Sequence, residues 1–428
     1  MKFNKSSQLA LVALASLLAA SLVTACSQIT QTLTVDFVYV ASAKAAGANN
    51  YGEIDVFEIN SESGKMRQIP TSPFPSQGRN PVAEAVSADY GSLFVVNHDD
   101  NTIVQFIIGS DGKLYPYNTV NTPGVFPLAV ATSNSNLFVV DTYQPLPIAS
   151  TAHPCSGSIA VYPLTAGTSS APVVIGSPAT NSAVNGNYWP LALSGTNTDA
   201  SHCTSSSHVI VPTAVTVLAS GAYVYVTAYD SSVTPNAGYV FGFSVGSGGA
   251  LAPLSGSPFA AGVTPSAIAG ANPGNSSTNY LYATDFTRGN VFAYSISSTT
   301  GNLAPVAGSP FRTGNQPSAI AVDTAYPYAY VTNSLDSTVT GYSISSTGAL
   351  TSVGTYATGL QPVAIGIDPS TEHFIYVINF LGNNLSGFQL SKTDGTLLDS
   401  QFSPFPTNDQ PTAVAAIPHN GTGAGIQP

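Results

Sequence analysis

The chain has 428 residues, of which 43% are hydrophobic and only 7% are charged. A soluble domain usually carries about 25% charged residues, so the chain has enough apolar side chains for a core, and disorder driven by charge is excluded. The formal net charge of −11 excludes a basic surface of the kind that binds nucleic acid.

Residues 1–25 have the pattern of a bacterial lipoprotein signal peptide. Lys2 and Lys5 form a positive start, and the apolar run that follows is too short and wrongly flanked for a membrane span. The run ends in Val23-Thr24-Ala25-Cys26, which resembles a lipobox with Cys26 as the lipidated residue. The alternative is an ordinary signal peptide with an incidental cysteine. We expect export, a tether over residues 26–34 and attachment to the membrane through Cys26, with the outer membrane or the periplasmic side favoured.

Two short motifs recur along the rest of the chain. One is a Pro-x-Ala segment such as Pro317–Val322, and the other follows it after a short turn, as in Tyr328–Asn333. Alternating small, branched and aromatic residues between Gly, Ser and Asn are typical of strands. The first motif begins at Pro81, Pro127, Pro212, Pro265, Pro317, Pro362 and Pro411, and the second spans Phe37–Val40, Leu93–Asn97, Leu137–Asp141, Tyr223–Thr227, Tyr280–Asp285, Tyr328–Asn333 and Phe374–Asn379.

The spacing of these motifs predicts an all-β, seven-bladed β-propeller of four-stranded antiparallel blades. Successive Pro-x-Ala segments lie 45 to 53 residues apart, except for one interval of 85 residues, and repeats of this length with four strands each are typical of propellers. The chain opens on a second strand at Phe37, and Pro411–Ile417 has no blade after it. The C-terminal strand should therefore complete the first blade. A non-repeating β-sandwich is the disfavoured alternative.

These motifs also set the expected domain boundaries. The propeller should occupy residues 35–417, with an insertion at about 165–211 before the fourth blade and a flexible tail at 418–428. Proline should stop the outermost strand of the four repeats that end in Ser-Pro-Phe. These are Ser72–Phe74, Ser257–Phe259, Ser309–Phe311 and Ser403–Phe405.

Tyr330-Val331-Thr332-Asn333 spells the YVTN signature. On this tetrapeptide and the sevenfold repeat, the chain resembles the YVTN-repeat, lactonase-like (6-phosphogluconolactonase-like) family of seven-bladed propellers, in an exported lipoprotein form. The resemblance implies the propeller fold and, as a possible activity, hydrolysis of a lactone outside the cytoplasm. It implies no cofactor, and no catalytic residue is carried over from the family.

Loops that precede the first strand and follow the second strand of each blade lie on the same face. Three of the four arginines, Arg79, Arg288 and Arg312, fall in these loops. Clustered arginines in an acidic protein suggest an anionic ligand, although surface loops also attract charges for no functional reason. We assign Arg79 to ligand binding.

His98-Asp99-Asp100 is the candidate for acid–base chemistry. Lactone hydrolysis needs a base that activates water and a donor that holds the developing oxyanion. His98 with Asp99 could supply the base, and Arg288 or Arg312 could supply the donor. The alternative is an ordinary turn whose side chains cap their own backbone.

The insertion carries two further predictions. Cys155 and Cys203 should form a disulfide in an exported protein, which would stabilise the fold by about 4 kcal/mol. Their spacing, even with His208 nearby, matches no standard zinc pattern, so no metal is expected. Tyr188 and Trp189 form either a ligand platform or a small core.

Three functions stay open at this point. The preferred one is a lipid-anchored monomer that binds a small molecule, a glycan or an envelope protein on its loop-rich face, because the common catalytic motifs are absent from the sequence. The alternatives are a lactone hydrolase and a passive structural protein of the cell envelope. Whether the protein is an enzyme is therefore left open.

Overall fold

A computed structural model describes residues 35–46, 49–60, 63–144, 156–167, 172–193, 208–369 and 374–418. Within these ranges the chain forms seven antiparallel sheets and two short 3-10 turns, Ser247–Gly249 and Pro273–Asn275. No helix in this part of the chain is long and apolar enough to cross a membrane. The sheets are the seven blades that the repeats predict.

Each blade is built outwards from an inner strand that begins at or near a repeat proline. Blade 1 contains β33 (Pro411–Ile417), β1 (Val35–Ala46), β2 (Tyr51–Asn60), β3 (Met66–Gln68) and β4 (Phe74–Pro75). Blade 2 contains β5 (Pro81–Val86), β6 (Ser92–Asn97), β7 (Thr102–Ile108) and β8 (Leu114–Asn121). Blade 3 contains β9 (Val125–Thr132), β10 (Asn136–Tyr143), β11 (Ser158–Thr165), β12 (Val174–Ile175) and β13 (Trp189–Pro190).

The remaining four blades follow the same order. Blade 4 contains β14 (Ile210–Val217), β15 (Tyr223–Asp230), β16 (Ala237–Val245), β17 (Leu251–Pro253) and β18 (Phe259–Ala260). Blade 5 contains β19 (Pro265–Ala271), β20 (Tyr280–Asp285), β21 (Asn290–Ile296), β22 (Leu303–Pro305) and β23 (Phe311–Arg312). Blade 6 contains β24 (Pro317–Val322), β25 (Tyr328–Asn333), β26 (Thr338–Ile344) and β27 (Leu350–Ala357). Blade 7 contains β28 (Pro362–Ile367), β29 (Phe374–Asn379), β30 (Asn384–Leu390), β31 (Leu397–Asp399) and β32 (Phe405–Pro406).

The ring closes between the two ends of the propeller. The C-terminal strand β33 pairs antiparallel with β1, with Phe37 opposite Ile417 and Val40 opposite Val414. The C-terminal strand is therefore the inner strand of the first blade, which confirms the predicted closure.

Blades 3 and 4 extend further than the others at the start of the inner strand. Their inner strands β9 and β14 begin two residues before the repeat proline, at Val125 and Ile210, and their second strands continue to Tyr143 and Asp230. Two added residues lengthen a strand by about 7 Å. The extension brings new side chains to one face of the ring, and Asp230 is one of them.

An aromatic pair on the second strand joins one blade to the next. In blade 5 the Tyr282 hydroxyl donates a hydrogen bond of 3.0 Å to the carbonyl of Gly348, in the turn between the third and fourth strands of blade 6. The ring of Tyr280 lies over the same glycine, where an added Cβ would come within 2.3 Å of it. Equivalent hydrogen bonds run from Tyr39 to Gly112, from Tyr225 to Gly301 and from Tyr330 to Gly395.

Each polar member of the YVTN tetrapeptide has a structural partner. Tyr330 makes the bond to the next blade, and the Thr332 hydroxyl accepts the Ala319 backbone N–H at 2.9 Å. The Asn333 side chain accepts the Gly314 backbone N–H at 3.0 Å. The signature therefore specifies blade packing, and it does not by itself indicate chemistry.

The Ser-Pro-Phe segments interrupt the outermost strand rather than end it, which corrects the prediction. After the proline, the phenylalanine resumes pairing with the third strand, as Phe311 does opposite Val291 in blade 5. The Ser309 hydroxyl accepts the Ala293 backbone N–H at 2.9 Å, so a side chain fills the gap in the ladder. The same bond is made by Ser72, Ser257 and Ser403.

Several predictions fall on residues outside the described ranges. Cys26, Cys155 and Cys203 are among them, so the lipid anchor and the disulfide stay predictions. The same holds for residues 1–34 and 419–428 and for residues 194–207 of the insertion.

Replacing Gly348 with alanine tests the junction between blades. Gly348 and Gly248 both have positive φ, at 82° and 65°, so alanine is strained at either position. Only at Gly348 would the new Cβ overlap an aromatic ring, whereas no atom lies within 4 Å of a Cβ at Gly248. We expect Gly348→Ala to lower the unfolding free energy by roughly 1–3 kcal/mol more than Gly248→Ala, measured by denaturant unfolding. Equal losses in the two variants would contradict the proposed contact.

Candidate functional site

The candidate site lies on the face formed by two sets of loops, which we call the loop-rich face. These are the loops between the second and third strands and the loops leading into the inner strands, such as 98–101 and 76–80 in blade 2. The opposite face carries the short turns between the third and fourth strands. Loops held on a rigid scaffold are the usual place for function.

Buried side chains at the ends of the second strands hold these loops. The Asp141 carboxylate accepts the Gly124 N–H at 3.0 Å, and Asp285 accepts the N–H groups of Val263 and Thr264 at 2.9 and 3.2 Å. Asn333 does the same in blade 6. Each of these residues lies near the end of a strand and ties down the loop that leads into the inner strand of its blade.

The residues before the inner-strand prolines adopt an uncommon backbone conformation. Asn80, Phe126, Gln316, Gln361 and Gln410 all have φ between 53° and 59°, a region that residues other than glycine seldom occupy. Their carbonyls face the neighbouring loop, and the Asn80 carbonyl accepts the His98 N–H at 3.0 Å. This positive-φ conformation before the repeat prolines was not predicted from the sequence.

His98 and Asp99 are hydrogen-bonded to each other just after the second strand of blade 2. Nδ1 of His98 lies 2.7 Å from Oδ1 of Asp99, and the Asn80 amide donates to the same oxygen at 3.1 Å. The hydrogen bond from His98 holds the pKa of Asp99 below its ordinary value. The His98 ring stacks on Phe126, with 4.8 Å between centroids.

Arg79 is engaged by Asp100 in the same blade. Its Nε and Nη2 both lie 2.6 Å from Oδ1 of Asp100, and its backbone N–H donates to Oδ2 at 2.7 Å. Hydrogen bonds from the guanidinium to Asp100 raise the pKa of Arg79. Together with Tyr51 and Thr102 they line a cleft of about 430 Å³ between blades 1 and 2. Asp100 thus compensates the positive charge of Arg79, the residue for which the sequence analysis expected an anionic ligand.

Arg288 and Arg312 lie at the same edge of blade 5. Asn290 pairs with Arg312, and the Thr313 N–H donates to the Gly289 carbonyl at 3.0 Å, which places the two arginines close together. Arg312 also lines a cleft of about 460 Å³ against blade 6. The other residues of that cleft are polar or small: Thr313, Gly314, Asp336, Thr338, Thr340, Ser352 and Thr355.

The side chains predicted to act together therefore form two groups. His98, Asp99 and Arg79 belong to blade 2, whereas Arg288 and Arg312 belong to blade 5. Among the described residues no hydrogen bond or ion pair joins the two groups. The roles assigned to these five residues remain predictions.

Trp189 is core rather than an exposed platform. Its side chain is 6% exposed and packs among the apolar residues between blades 3 and 4, and it pairs with Ile159 as part of β13. Tyr188, which is half-buried, accepts the Asn181 amide at its carbonyl at 3.1 Å. The structure favours the small-core alternative for Trp189.

A further group of polar side chains was missed by the sequence reasoning. Nδ1 of His208 is hydrogen-bonded to Oδ2 of Asp230, and the Ser232 hydroxyl and backbone N–H lie 2.5 and 2.9 Å from Oδ1. Burial raises the pKa of Asp230, but the hydrogen bonds from Ser232 and His208 outweigh it and leave the pKa below its ordinary value. The pairing of Ile210 with Asp230 brings the group together.

No group of three or more His, Cys, Asp or Glu side chains is placed to hold a metal ion among the residues that the structure describes.

The model of the family described as "Lactonase, 7-bladed beta-propeller" matches residues 195–411. The chain belongs to this family. No curated protein matches the chain. Its fold is similar to that of solved structures that are 16–18% identical to it, a level of similarity that shows the fold alone.

Three of these structures share the propeller over almost their whole length. The periplasmic gluconolactonase of Pseudomonas aeruginosa is 17% identical, with 90% of this chain and 99% of that chain covered and a TM-score of 0.64. Candidate 6-phosphogluconolactonases from Bacteroides fragilis and Bacteroides uniformis are 18% and 16% identical, with the same coverage and TM-scores of 0.66 and 0.67.

Asp141 gives a pH-dependent test of the scaffold under this face. Burial raises the pKa of Asp141 from 3.8 to about 7, although hydrogen bonds from Thr122 and Gly124 oppose the shift. The favourable contribution of the protonated acid is complete below pH 4 and is lost as the pH rises through 7. Asparagine occupies the equivalent positions 97, 333 and 379 in other blades.

We therefore expect Asp141→Asn to raise the unfolding free energy at pH 8 by roughly 2–4 kcal/mol and to have little effect at pH 4. Denaturant unfolding at the two pH values measures the difference. A variant that is no more stable than the parent at pH 8 would show that the buried carboxylate is not a cost to the fold.

Proposed function

We propose that the protein is a lactone hydrolase that acts at its loop-rich face. Membership of the lactonase propeller family supports this reading. The observation that carries it is that this face holds two histidines, His98 and His208, each with Nδ1 bonded to an aspartate. Such a bond fixes the tautomer and orients Nε2 as a proton acceptor.

The chemistry requires a base that activates water, and a donor near the carbonyl oxygen assists it. A neutral imidazole can take a proton from water as the water attacks the lactone carbonyl, and a positioned base of this kind contributes about 10²–10⁴-fold. The product is a hydroxy acid, which carries a negative charge. Arg288 and Arg312 would attract that carboxylate or an anionic group of the substrate.

Ligand binding without catalysis is the second candidate function. Arg312 lines a hydroxyl-rich cleft in a chain of net charge −11, and arginines are suited to anionic ligands. A binding protein would use this cleft and leave the histidines without a chemical role.

A panel of sugar and acyl lactones separates the two candidates. We expect hydrolysis above the spontaneous rate for at least one lactone, measured as acid release at constant pH. In the double variant His98→Gln/His208→Gln this rate should fall by roughly 10²-fold or more, with the melting temperature unchanged.

Calorimetry with the same lactones and their hydroxy acids provides the control. Binding without turnover, weakened in Arg288→Gln/Arg312→Gln, would favour the binding protein. No turnover of any lactone by the parent protein would overturn the hydrolase proposal.

We further propose that the protein is exported and anchored to the membrane by a lipid on Cys26, as the lipobox-like segment suggests. The periplasmic location of the gluconolactonase from Pseudomonas aeruginosa is compatible with a lactone substrate outside the cytoplasm. Metabolic labelling with palmitate should mark the parent and Cys203→Ser, and it should not mark Cys26→Ser. Equal labelling of all three proteins, or of none, would contradict the anchor.

A further inference from the structure

We propose that His208 is the catalytic base of this hydrolase and that Asp230 is the residue that positions it. The inference rests on the proposed function, and it selects one of the two histidines of the loop-rich face. It is drawn from the geometry of blade 4, where the sequence alone indicated no site.

The His208–Asp230 pair joins a loop to the end of a strand. His208 lies in the loop leading into the inner strand, and Asp230 ends the second strand, 22 residues later. Asp230 is 1% exposed, whereas the His208 side chain is 40% exposed. The carboxylate is therefore held inside the protein, and the imidazole reaches the surface.

The two nitrogens of His208 have different environments. Nδ1 is bonded to Asp230, and no hydrogen bond to Nε2 is present among the described residues. With Nδ1 as the donor, Nε2 carries the lone pair and is available to a water molecule at the surface. This is the arrangement that a general base requires.

Blade 4 departs from the repeat at this position. In blades 3, 5 and 6 the side chain opposite the inner-strand proline binds backbone N–H groups and acts as a loop anchor. In blade 4 the residue paired with Pro212 is Ala228, which cannot do this. Asp230 lies two residues further along and binds an imidazole instead. A histidine–aspartate pair that replaces a repeated loop anchor is not explained by the packing of blades.

Asp99 holds His98 less firmly than Asp230 holds His208, so His98 is the weaker candidate for the general base. Asp99 follows His98 directly in the chain, is 46% exposed and shares its oxygen with Asn80. Exposed ion pairs are weak because water screens them, whereas the interaction with a buried carboxylate is stronger in the lower dielectric of the interior. Asp230 can therefore hold His208 in one orientation.

Ser232 is not placed as a nucleophile. Its hydroxyl donates to Oδ1 of Asp230 at 2.5 Å, and it approaches His208 only at Nδ1, at 3.5 Å. A serine nucleophile would have to contact the nitrogen that is free to accept its proton, which is Nε2. Ser232 therefore supports the carboxylate, and water is the nucleophile.

The reaction balances with water as the only co-reactant. Nε2 of His208 takes a proton from water as the water oxygen bonds to the lactone carbonyl carbon, and the carbonyl oxygen becomes an oxyanion. The tetrahedral intermediate then breaks the ring C–O bond. The imidazolium returns its proton to the leaving alkoxide, which gives a hydroxyl group, and the new carboxylic acid releases a proton to solvent.

Single variants of the two histidines test the assignment on the best lactone of the panel. We expect His208→Gln to lower kcat by roughly 10²–10⁴-fold and to lower it far more than His98→Gln does. Lys113→Gln, in the turn between β7 and β8 on the opposite face, is the control that should change kcat less than about 3-fold. Ser232→Ala should have a smaller effect than His208→Gln.

The pH dependence of kcat/KM distinguishes a catalytic from a structural role of His208, because a purely structural residue would not change it. The parent and His98→Gln should lose kcat/KM towards acid pH as one group protonates, and this limb should disappear in His208→Gln. Asp230→Asn should shift the limb and lower kcat with little change in KM, because it disturbs the orientation of His208 rather than substrate binding.

The outcomes separate the two proposals. If the parent hydrolyses a lactone and His208→Gln retains its full activity and its acid limb, the assignment of His208 is wrong and the hydrolase stands. If the parent hydrolyses none, both are wrong.

If His208→Gln fails to fold, His208 can be tested by chemical modification instead. The folded His98→Gln protein is then treated with diethyl pyrocarbonate, which modifies histidine side chains. Loss of activity should follow the modification of His208, located by peptide mass spectrometry. Modification of His208 without loss of activity would overturn the assignment.

Discussion

The contact between a second-strand tyrosine and a glycine of the next blade aligns neighbouring blades at four of the described junctions. A propeller with few charged residues has few ion pairs to align its blades. Its blades are therefore aligned by side-chain packing and by hydrogen bonds of defined direction. The tyrosine hydroxyl supplies a directed bond to a backbone carbonyl, and the aromatic residue two positions earlier covers the same glycine. The glycine is required both for its positive φ and for the absence of a Cβ.

Hydrogen bonds from side chains to backbone groups also order the loop-rich face. Buried Asp and Asn side chains near strand ends hold the loops through backbone N–H groups, so these loops are ordered without any ligand. Asp230 lies two residues beyond the position of these anchors, and it binds an imidazole that reaches solvent as well as the Ser232 backbone N–H. Blade 4 is one of the blades that lack this anchor, and there the proposed catalytic pair takes its place.

Charge is distributed unevenly over this face. Asp100 compensates Arg79, while Arg288 and Arg312 lie at one edge of blade 5, and Arg312 lines a cleft rich in hydroxyl groups. A cationic edge and an aspartate-bound histidine are the two parts that lactone hydrolysis would need, but they belong to different blades. Family membership favours hydrolysis over simple binding, and the arginines are compatible with either.

The sequence by itself determined the fold, the number of blades and the closure of the ring. Each repeat carries its own strand and turn signals, and these are local, so a motif counted seven times specifies the architecture without knowledge of contacts. The sequence also pointed to the loop-rich face, because strand order alone decides which loops share a side. It also placed His98 beside Asp99, since consecutive residues are close together in any fold.

Tertiary structure decided the features that depend on pairing between distant residues. The interrupted outer strands depend on a serine hydroxyl that replaces a backbone acceptor, and the burial of Trp189 depends on the packing of two blades. His208 and Asp230 are 22 residues apart, and neither lies in a recognisable motif. Only the register of β14 against β15 brings them together, because a strand extended by two residues carries Asp230 to the level of the histidine.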